Sequence, residues 1–287
     1  MDRIARDGST FASRTVSASQ VSSGLAGRVR EQIGDAAFGM DGRLIDWRSS
    51  LLPATLNCLE DRHLTTLDPG RRRVPEAGAV IALNSFLPWE QHSGDLRLAD
   101  LSSVDKLTFD ARCPTGVRGT PPHLDMIAAR GQSIVAATAR GPGYLGRRFA
   151  GLAAAYDSVE VPPAMRPWHE ILPLLRQSGR TFAHVDAASL LKFALGLART
   201  FPNHDLTLLY LYWEPSDAGQ FEAFRRHRRE LDDLSERVEG SAVRLRSQTF
   251  GSLWNEREEQ PDKPWLRELV AQLRGRYDMA IGEQAAL

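Results

Sequence analysis

The order of helix and strand patterns in the middle of the chain constrains its fold more than any other feature. Apolar residues recur at helical spacing over residues 76–89, and the same spacing returns over 185–200. Strand patterns occupy residues 106–111, 123–129, 134–139 and 206–213. The resulting order, α-β-β-β-α-β, predicts an α/β domain with a mixed central sheet flanked by helices.

Two of these strand patterns say more about the sheet. The stretch LTLLYLYW (206–213) is almost entirely apolar, which is typical of a strand buried on both faces. The second and third strands are separated only by the short polar connection Arg130-Gly131-Gln132-Ser133. We therefore expect these two strands to form an antiparallel hairpin.

The remaining patterns divide the chain into a tail, an extension and one main domain. Residues 1–24 are predicted to be a disordered tail. Residues 25–75 are predicted to be an N-terminal extension that packs on the core, with a short helix at 25–33. The main domain covers 76–287, and its later part is predicted to hold a helix from an N-capping Asp217 to Glu239, a strand at 243–245 and a helix at 265–273.

Composition narrows the functional classes. The formal net charge is zero over 287 residues, so any nucleic-acid site must be a local basic patch. Two cysteines, Cys58 and Cys113, are too few for a disulfide framework. No apolar run reaches the roughly 18 residues of a membrane span, and the N-terminus lacks the apolar core of a secretory signal. We therefore expect a cytoplasmic protein without a membrane partner.

The strongest candidate for chemistry is Asp125, on the second predicted strand. Side chains alternate along a strand, so Thr138 and Arg140 share one face of the third strand. A metal-dependent nuclease uses this geometry, with an Asp on one strand and a Glu-x-Lys triplet on the next that hold Mg²⁺ and stabilise charge at phosphorus. The alternative is an Asp125 that binds the backbone of a nearby turn, and the residues alone leave both interpretations open.

The segment TGVRGTPPHLDMIAARGQSIVAATARGPGYL (115–145) resembles a group of bacterial restriction endonucleases in the PD-(D/E)XK superfamily. Those proteins carry a similar GTPPxLD stretch, followed by a strand that ends in Glu-Ser-Lys. The resemblance continues at DAASLLKFALGL, LYLYWEP and RSQTFGSLW, and it covers residues 76–256. It implies a restriction-endonuclease-like αβββαβ core, DNA as the substrate and Mg²⁺ as the cofactor, with Asp125 as the matching metal-binding residue.

This sequence departs from the family pattern at the Glu-Ser-Lys triplet, which falls on Thr138-Ala139-Arg140. Threonine is a neutral ligand, and arginine could contact the scissile phosphate but does not replace lysine. A position that often holds Gln in the family holds Ser189. The departures predict a degenerate endodeoxyribonuclease whose Mg²⁺-dependent hydrolysis is weakened or lost, unless Asp110 on the first strand or Glu90 near the end of the first helix supplies a carboxylate.

Other features suggest further contacts and alternative functions. Basic clusters at residues 71–73, 147–148 and 225–229 could each meet phosphates. Arg147 and Arg148 are favoured because they lie next to the predicted site. The third cluster lies on a predicted helix that also carries acids from Glu230 to Glu236, which indicates a salt-bridged surface.

DNA is the expected partner, and the sequence leaves open whether the chain also forms a homodimer. One alternative is a non-catalytic DNA-binding or assembly module on the same fold. Another is a dinucleotide-binding enzyme that uses the GxGxxG pattern of Gly141, Gly143 and Gly146, with Glu160 further along the chain.

Overall fold

A computed structural model describes residues 15–146, 152–177, 181–260 and 262–282. The α-helices in this part are α1 (Ala18–Ile33), α2 (Pro53–Leu56), α3 (Asp61–Thr66), α4 (Gly78–Phe86), α5 (Arg166–Glu170), α6 (Leu172–Gln177), α7 (Ala187–Thr200), α8 (Glu222–Arg237), α9 (Phe250–Glu258) and α10 (Pro264–Tyr277). The strands are β1 (Lys106–Arg112), β2 (His123–Arg130), β3 (Ser133–Arg140), β4 (Asp205–Tyr212) and β5 (Val243–Thr249). Short 3-10 helices join several of these elements, among them Pro69–Arg72, Leu87–Asp95 and Pro142–Gly146.

The strands form one mixed sheet in the order β1-β2-β3-β4-β5. β1, β2 and β3 are antiparallel neighbours, whereas β4 runs parallel to β3 and β5 runs parallel to β4. Arg130 pairs with Ser133 at the end of the β2–β3 hairpin, so the predicted hairpin is confirmed. Helices flank the sheet: α4 packs against β2 and β3, and α7 and α8 pack against β4 and β5.

The predicted order of elements is confirmed as α4, β1, β2, β3, α7 and β4, with α5 and α6 inserted before α7. Every residue of β4 after Asp205 is buried, as expected for a strand covered on both faces. β5 runs to Thr249, beyond the predicted 243–245, and the Thr249 side chain then accepts a hydrogen bond from Ser252 N to cap α9. The periodicity of the sequence did not predict α9.

Two predictions about helix starts were wrong. α1 begins at Ala18, so residues 18–24 are helical rather than part of a disordered tail. Asp217 does not cap α8, which begins at Glu222. Its carboxylate instead accepts hydrogen bonds from Ile281 N at 3.0 Å and Gly282 N at 2.7 Å. Asp217 therefore holds the C-terminal end of the described chain rather than a helix N-terminus.

A single apolar core joins the N-terminal helix to the sheet. Val21, Leu25 and Val29 of α1 are fully buried and belong to the same cluster as the strand residues. Trp213 and Trp254 are also buried, as their apolar sequence surroundings indicate. Among the described residues, no helix combines the length and apolar character needed to cross a membrane.

The N-terminus of α4 lies directly against the end of β3. All nine residues of α4 are buried, so the helix is covered all round rather than on the single apolar face that its sequence predicted. A Cβ atom added to Gly78 would overlap the Ala139 carbonyl and lie 2.6 Å from Arg140 N. A Cβ atom on Gly141 would overlap the Glu76 carbonyl. Glycine at these two positions lets the helix and the strand approach each other.

We expect Gly78→Ala to lower the free energy of unfolding by about 1–3 kcal/mol, because the added methyl group meets backbone atoms that cannot rotate away. Urea denaturation at neutral pH measures the change. Gly27→Ala is the matched control: Gly27 is exposed within α1 and its Cβ atom would meet nothing within 4 Å. That control should be neutral or stabilising by up to about 1 kcal/mol. Equal stability of the two variants would contradict the close α4–β3 contact.

Candidate functional site

Two carboxylates face each other across β1 and β2. The strand pairs on either side are Phe109 with Met126 and Ala111 with Leu124, which leaves Asp110 opposite Asp125. Asp110 has a positive φ of 52°, a conformation that Asp tolerates better than most residues. This local twist interrupts the alternation of β1, so Asp110 is buried although it follows the buried Phe109. The side chains of Asp110 and Asp125 are only 1% and 2% exposed.

One arginine joins the two carboxylates. Arg71 lies in the 3-10 helix Pro69–Arg72 that precedes α4. Its Nη1 donates a hydrogen bond to Oδ1 of Asp110, and its Nη2 donates one to Oδ1 of Asp125. The two ends of a single guanidinium therefore bind two different carboxylates, and the Arg71 side chain is 27% exposed on its outer side.

The second oxygen of each carboxylate is also engaged. Oδ2 of Asp110 accepts hydrogen bonds from Arg72 Nη1 at 2.6 Å and from Asp68 N at 2.8 Å. Oδ2 of Asp125 accepts one from Ala139 N, on β3, at 2.7 Å. All four carboxylate oxygens thus have at least one donor, and Asp125 connects the backbone of β3 to the arginine cluster.

The turn that carries the two arginines is fixed by its own hydrogen bonds. The Asp68 side chain accepts from Gly70 N at 2.8 Å, and Pro69 supplies a backbone angle suited to the first helical position. Arg72 Nη1 also donates to the Asp68 carbonyl at 2.9 Å. This 68–72 turn therefore holds both guanidinium groups over the strands independently of the Arg71 contacts.

The charges of the cluster balance. Burial alone raises the pKa of Asp110, but the Arg72 hydrogen bond, the attraction of Arg72 and Arg71 and the Asp68 N–H outweigh it, so the pKa lies below its ordinary value. For Arg71, burial lowers the pKa, and the attraction of Asp125 and Asp110 raises it above its ordinary value overall. The site is thus composed of two carboxylates and two arginines, with no formal charge left over.

Thr138 and Arg140 lie beside this cluster on β3. The pairing of Met126 with Ala137 puts Thr138 next to Asp125 in the strand register. Thr138 is fully buried, and Arg140 Nη1 donates to its Oγ1 at 2.9 Å, in agreement with the predicted shared face. The Arg140 guanidinium also lies over the Tyr210 ring, 5.9 Å from the centroid.

A cavity of about 330 Å³ opens at this end of β3. Arg140 lines it together with Glu76, which lies two residues before the start of α4 and was not singled out in the sequence. Burial raises the pKa of the Glu76 carboxyl, and its own backbone N–H partly offsets the effect. Glu76 lies here because the start of α4 packs closely against the end of β3. Local sequence patterns do not reveal that contact.

The other predicted site residues are engaged elsewhere or lie outside the described residues. Glu90 accepts hydrogen bonds from Arg62 at 2.8 Å and from His63 at 2.9 Å. Both of these partners of Glu90 lie on α3. In residues 15–146, 152–177, 181–260 and 262–282, no three His, Cys, Asp or Glu side chains are placed to hold one metal ion. Arg147 and Arg148 lie outside the described residues.

Ser189 and the glycine pattern have local structural roles. Ser189 Oγ donates to Asp186 Oδ2 at 2.7 Å, within the N-terminal cap of α7. Residues 142–146 form a 3-10 helix in which Tyr144 and Leu145 are buried, and α1 packs against it. Gly143 and Gly146 of the pattern therefore lie within a packed 3-10 helix.

Two of the predicted basic clusters bind acids. Arg71 and Arg72, predicted as phosphate contacts, bind the buried carboxylates instead. The cluster on α8 is salt-bridged as predicted, and its pairs are Arg225 and Arg229 with Glu222, Arg226 with Glu230, and Arg228 with Glu214. The two pairs with Glu222 are exposed and contribute little to stability, whereas Glu230 and Glu214 are almost completely buried. All of these pairs lower the positive potential of the helix surface.

The residues present do not fit a divalent cation. Mg²⁺ needs oxygen ligands that are free to coordinate and a net negative site to attract it. Here both Oδ1 atoms are held by Arg71, both Oδ2 atoms accept other hydrogen bonds, and Thr138 supplies only a neutral hydroxyl. A cation would have to displace the Arg71 guanidinium to reach the two carboxylates together.

Comparison with protein-family models, curated proteins and solved structures finds no match to this chain. The geometry of the carboxylate pair and its arginines is therefore the basis for the functional conclusion.

Proposed function

We propose that the chain is a PD-(D/E)XK nuclease-like protein that binds DNA and whose metal-dependent hydrolysis is weakened or lost. The observation that carries the proposal is the pair Asp110 and Asp125, which face each other on β1 and β2 beside β3 and are bridged by Arg71. Two converging buried carboxylates next to a third strand are what a cation-dependent phosphodiesterase site requires. An arginine between them is what such a site cannot tolerate.

The arrangement of the elements supports the first half of the proposal. The order α4, β1, β2, β3, α7, β4 and the mixed pairing of the strands agree with the core that the family resemblance implies. Asp125 also binds the backbone of β3 at Ala139, the middle residue of the triplet that stands where the family has Glu-Ser-Lys. Fold alone does not decide function, so the weight rests on this local geometry.

Charge supports the second half. In a working site the carboxylates attract the cation, and the cation activates water and stabilises the phosphorus-centred charge. Here the two arginines neutralise the carboxylates, and the third ligand position is the buried, neutral Thr138. The residues that remain suited to a phosphate are those at the rim, above all the half-buried Arg140.

The second candidate is an assembly module on the same fold, with no affinity for DNA. The neutral net charge and the acid-paired arginines of α8 favour it, since they leave little unpaired positive charge on that helix. DNA binding by the full chain separates the two candidates.

We expect salt-sensitive binding to a DNA duplex, measured by fluorescence anisotropy at several salt concentrations between 50 and 200 mM. Arg140→Ala should weaken binding to all sequences alike and lower the slope of log K against log salt by about one, as loss of a single phosphate contact does. Arg237→Ala is the control, because Arg237 is exposed on α8 and paired with Asp233. It should leave the slope unchanged.

No binding at the lowest salt would contradict DNA as the ligand and favour the assembly module. Cleavage is checked with supercoiled plasmid and Mn²⁺, where the wild-type chain should nick no faster than Asp125→Asn. Nicking by the wild type that disappears in Asp125→Asn would show that metal-dependent hydrolysis persists, and would contradict its complete loss.

A further inference from the structure

We propose that the Arg71 guanidinium is a built-in replacement for a divalent cation, and that Asp110 and Asp125 form a cation site which opens when Arg71 is removed. The inference relies on the proposed nuclease-like site only for the kind of ion that Arg71 replaces. It goes beyond that function because it names the residue that closes the site and the ligand that the vacated site would take.

The bonding pattern of Arg71 resembles that of a shared cation. A metal ion held by two carboxylates takes one oxygen from each, and Arg71 does the same through its two terminal nitrogens. The remaining oxygens are held by groups that do not depend on Arg71, namely Arg72, Asp68 N and Ala139 N. Truncation of Arg71 therefore frees one oxygen on each carboxylate and leaves both side chains oriented.

The net charge that remains after Arg71 is removed indicates which class of ligand the site would bind. Without Arg71, two buried carboxylates face the single guanidinium of Arg72, which leaves one uncompensated negative charge. A buried, unpaired charge is costly, so the site gains free energy from any small cation that supplies oxygen-ligand bonds. A hard divalent cation fits this need, because it prefers carboxylate oxygens and fills its remaining positions with water.

Access follows from the position of Arg71. Its side chain is the partly exposed member of the cluster, whereas Arg72 and both carboxylates are almost completely buried. The turn that carries Arg71 is held by Asp68 and Arg72 independently of the Arg71 side chain. Removal of the guanidinium therefore opens a path from solvent to the two Oδ1 atoms without releasing the backbone.

The test is a thermal unfolding series on the full chain in EDTA and in Mn²⁺, with Arg71→Ala and the neutral, polar Arg71→Gln. We expect both variants to unfold at lower temperature than the wild type in EDTA. Mn²⁺ at roughly one hundred times its Kd should raise their Tm by about 5 °C. The wild-type Tm should not respond to Mn²⁺. Calorimetric titration should give one Mn²⁺ per variant chain, with a Kd on the order of 10⁻⁴–10⁻³ M, the range of weak oxygen sites.

Two controls locate the effect. Arg71→Gln combined with Asp125→Asn removes one carboxylate charge and should abolish the Mn²⁺ response. Arg73→Ala removes a neighbouring arginine that binds Leu44 O and Asp41 instead, and it should behave like the wild type. Folded Arg71 variants without a Mn²⁺ response would overturn the inference, as would a response that persists in the double variant.

Mn²⁺ binding to the wild-type chain is a test that does not depend on how well the Arg71 variants fold. One Mn²⁺ bound to the wild type, and lost in Asp125→Asn, would overturn the inference. If Arg71→Ala unfolds in EDTA, its recovery of structure in Mn²⁺ supports the inference, and its failure to recover contradicts it. DNA binding is measured separately and tests only the proposed function. If the Arg71 variants bind Mn²⁺ but the wild-type chain does not bind DNA, the proposed function is wrong and this inference still holds.

Discussion

Replacement of Asp110 by Ala is expected to lower the free energy of unfolding by about 3–5 kcal/mol, the usual cost of removing one partner from a buried ion pair. Arg72 is only 1% exposed, and in the variant it would keep a guanidinium charge without its carboxylate. Asp68 N would lose its acceptor, and Arg71 would keep only Asp125. Denaturant unfolding at neutral pH measures the loss.

Two companion variants show whether the loss comes from burial. Asp110→Asn retains an acceptor oxygen and should cost less than Asp110→Ala. Asp233→Ala removes the acid of an exposed pair with Arg237 on α8, and it should cost at most about 1 kcal/mol. If Asp110→Ala cost no more than Asp233→Ala, the buried cluster described above would not exist in solution.

The second large effect is a dependence of stability on pH that comes from His227. This residue is fully buried on α8, where its ring packs on Tyr144 at 4.2 Å and on Tyr212 at 4.7 Å between centroids. Its Nε2 lies 3.2 Å from the hydroxyl of Tyr210. Burial above all, then the nearby His184 and Arg228, lowers the pKa of His227 to about 3.

Because the folded pKa lies below the ordinary value of 6.5, the unfolded chain binds a proton at His227 before the folded chain does. The stability is fully present above pH 6.5 and falls as the pH drops toward 3. We expect His227 to account for a loss of about 1.4 kcal/mol per pH unit in this window, and roughly 4–5 kcal/mol across it. Urea unfolding at pH 7, 6, 5 and 4 measures the slope.

His227→Phe keeps a ring in the same aromatic surroundings and removes the titrating group. The slope of its unfolding free energy between pH 6 and 4 should be shallower than that of the wild type by about 1.4 kcal/mol per pH unit. His204→Gln, at a histidine outside this aromatic cluster, is the control and should keep the wild-type slope. Identical slopes in His227→Phe and the wild type would mean that His227 is not buried as a neutral ring.

The order of elements was predictable because each pattern is local. The alternation of apolar residues, the short polar connection at 130–133 and the almost entirely apolar stretch at 206–213 each depend on neighbouring residues alone. Together they led to β1, β2, β3 and β4 and to the hairpin. Alternation also led to the shared face of Thr138 and Arg140, which the hydrogen bond between the two side chains bears out.

The arginine bridge was not predictable in the same way. Arg71 is 39 residues from Asp110 and 54 from Asp125, and no periodic pattern relates them. A run of arginines is equally suited to phosphates and to buried acids, so its composition does not choose between them. The buried position of Asp110 depends on a single backbone angle within β1, which alternation does not anticipate.

A helix-capping motif in the sequence marks the early start of α1. Ser17 and Gln20 form a capping box, in which Ser17 Oγ accepts from Gln20 N at 3.2 Å and Gln20 Oε1 accepts from Ser17 N at 2.9 Å. The Ser-x-x-Gln spacing is visible in the sequence, and it precedes the buried Val21 and Leu25. The Ser-rich composition around it is equally typical of disorder, and that resemblance hid the helix.

Diffraction from wild-type crystals grown with Mn²⁺, recorded where manganese scatters anomalously, tests most directly whether Arg71 stands where a cation would bind. We predict continuous density for the Arg71 guanidinium between Asp110 and Asp125 and no anomalous peak between the carboxylates. A peak about 2.0–2.6 Å from an oxygen of each carboxylate, with Arg71 displaced, would contradict this.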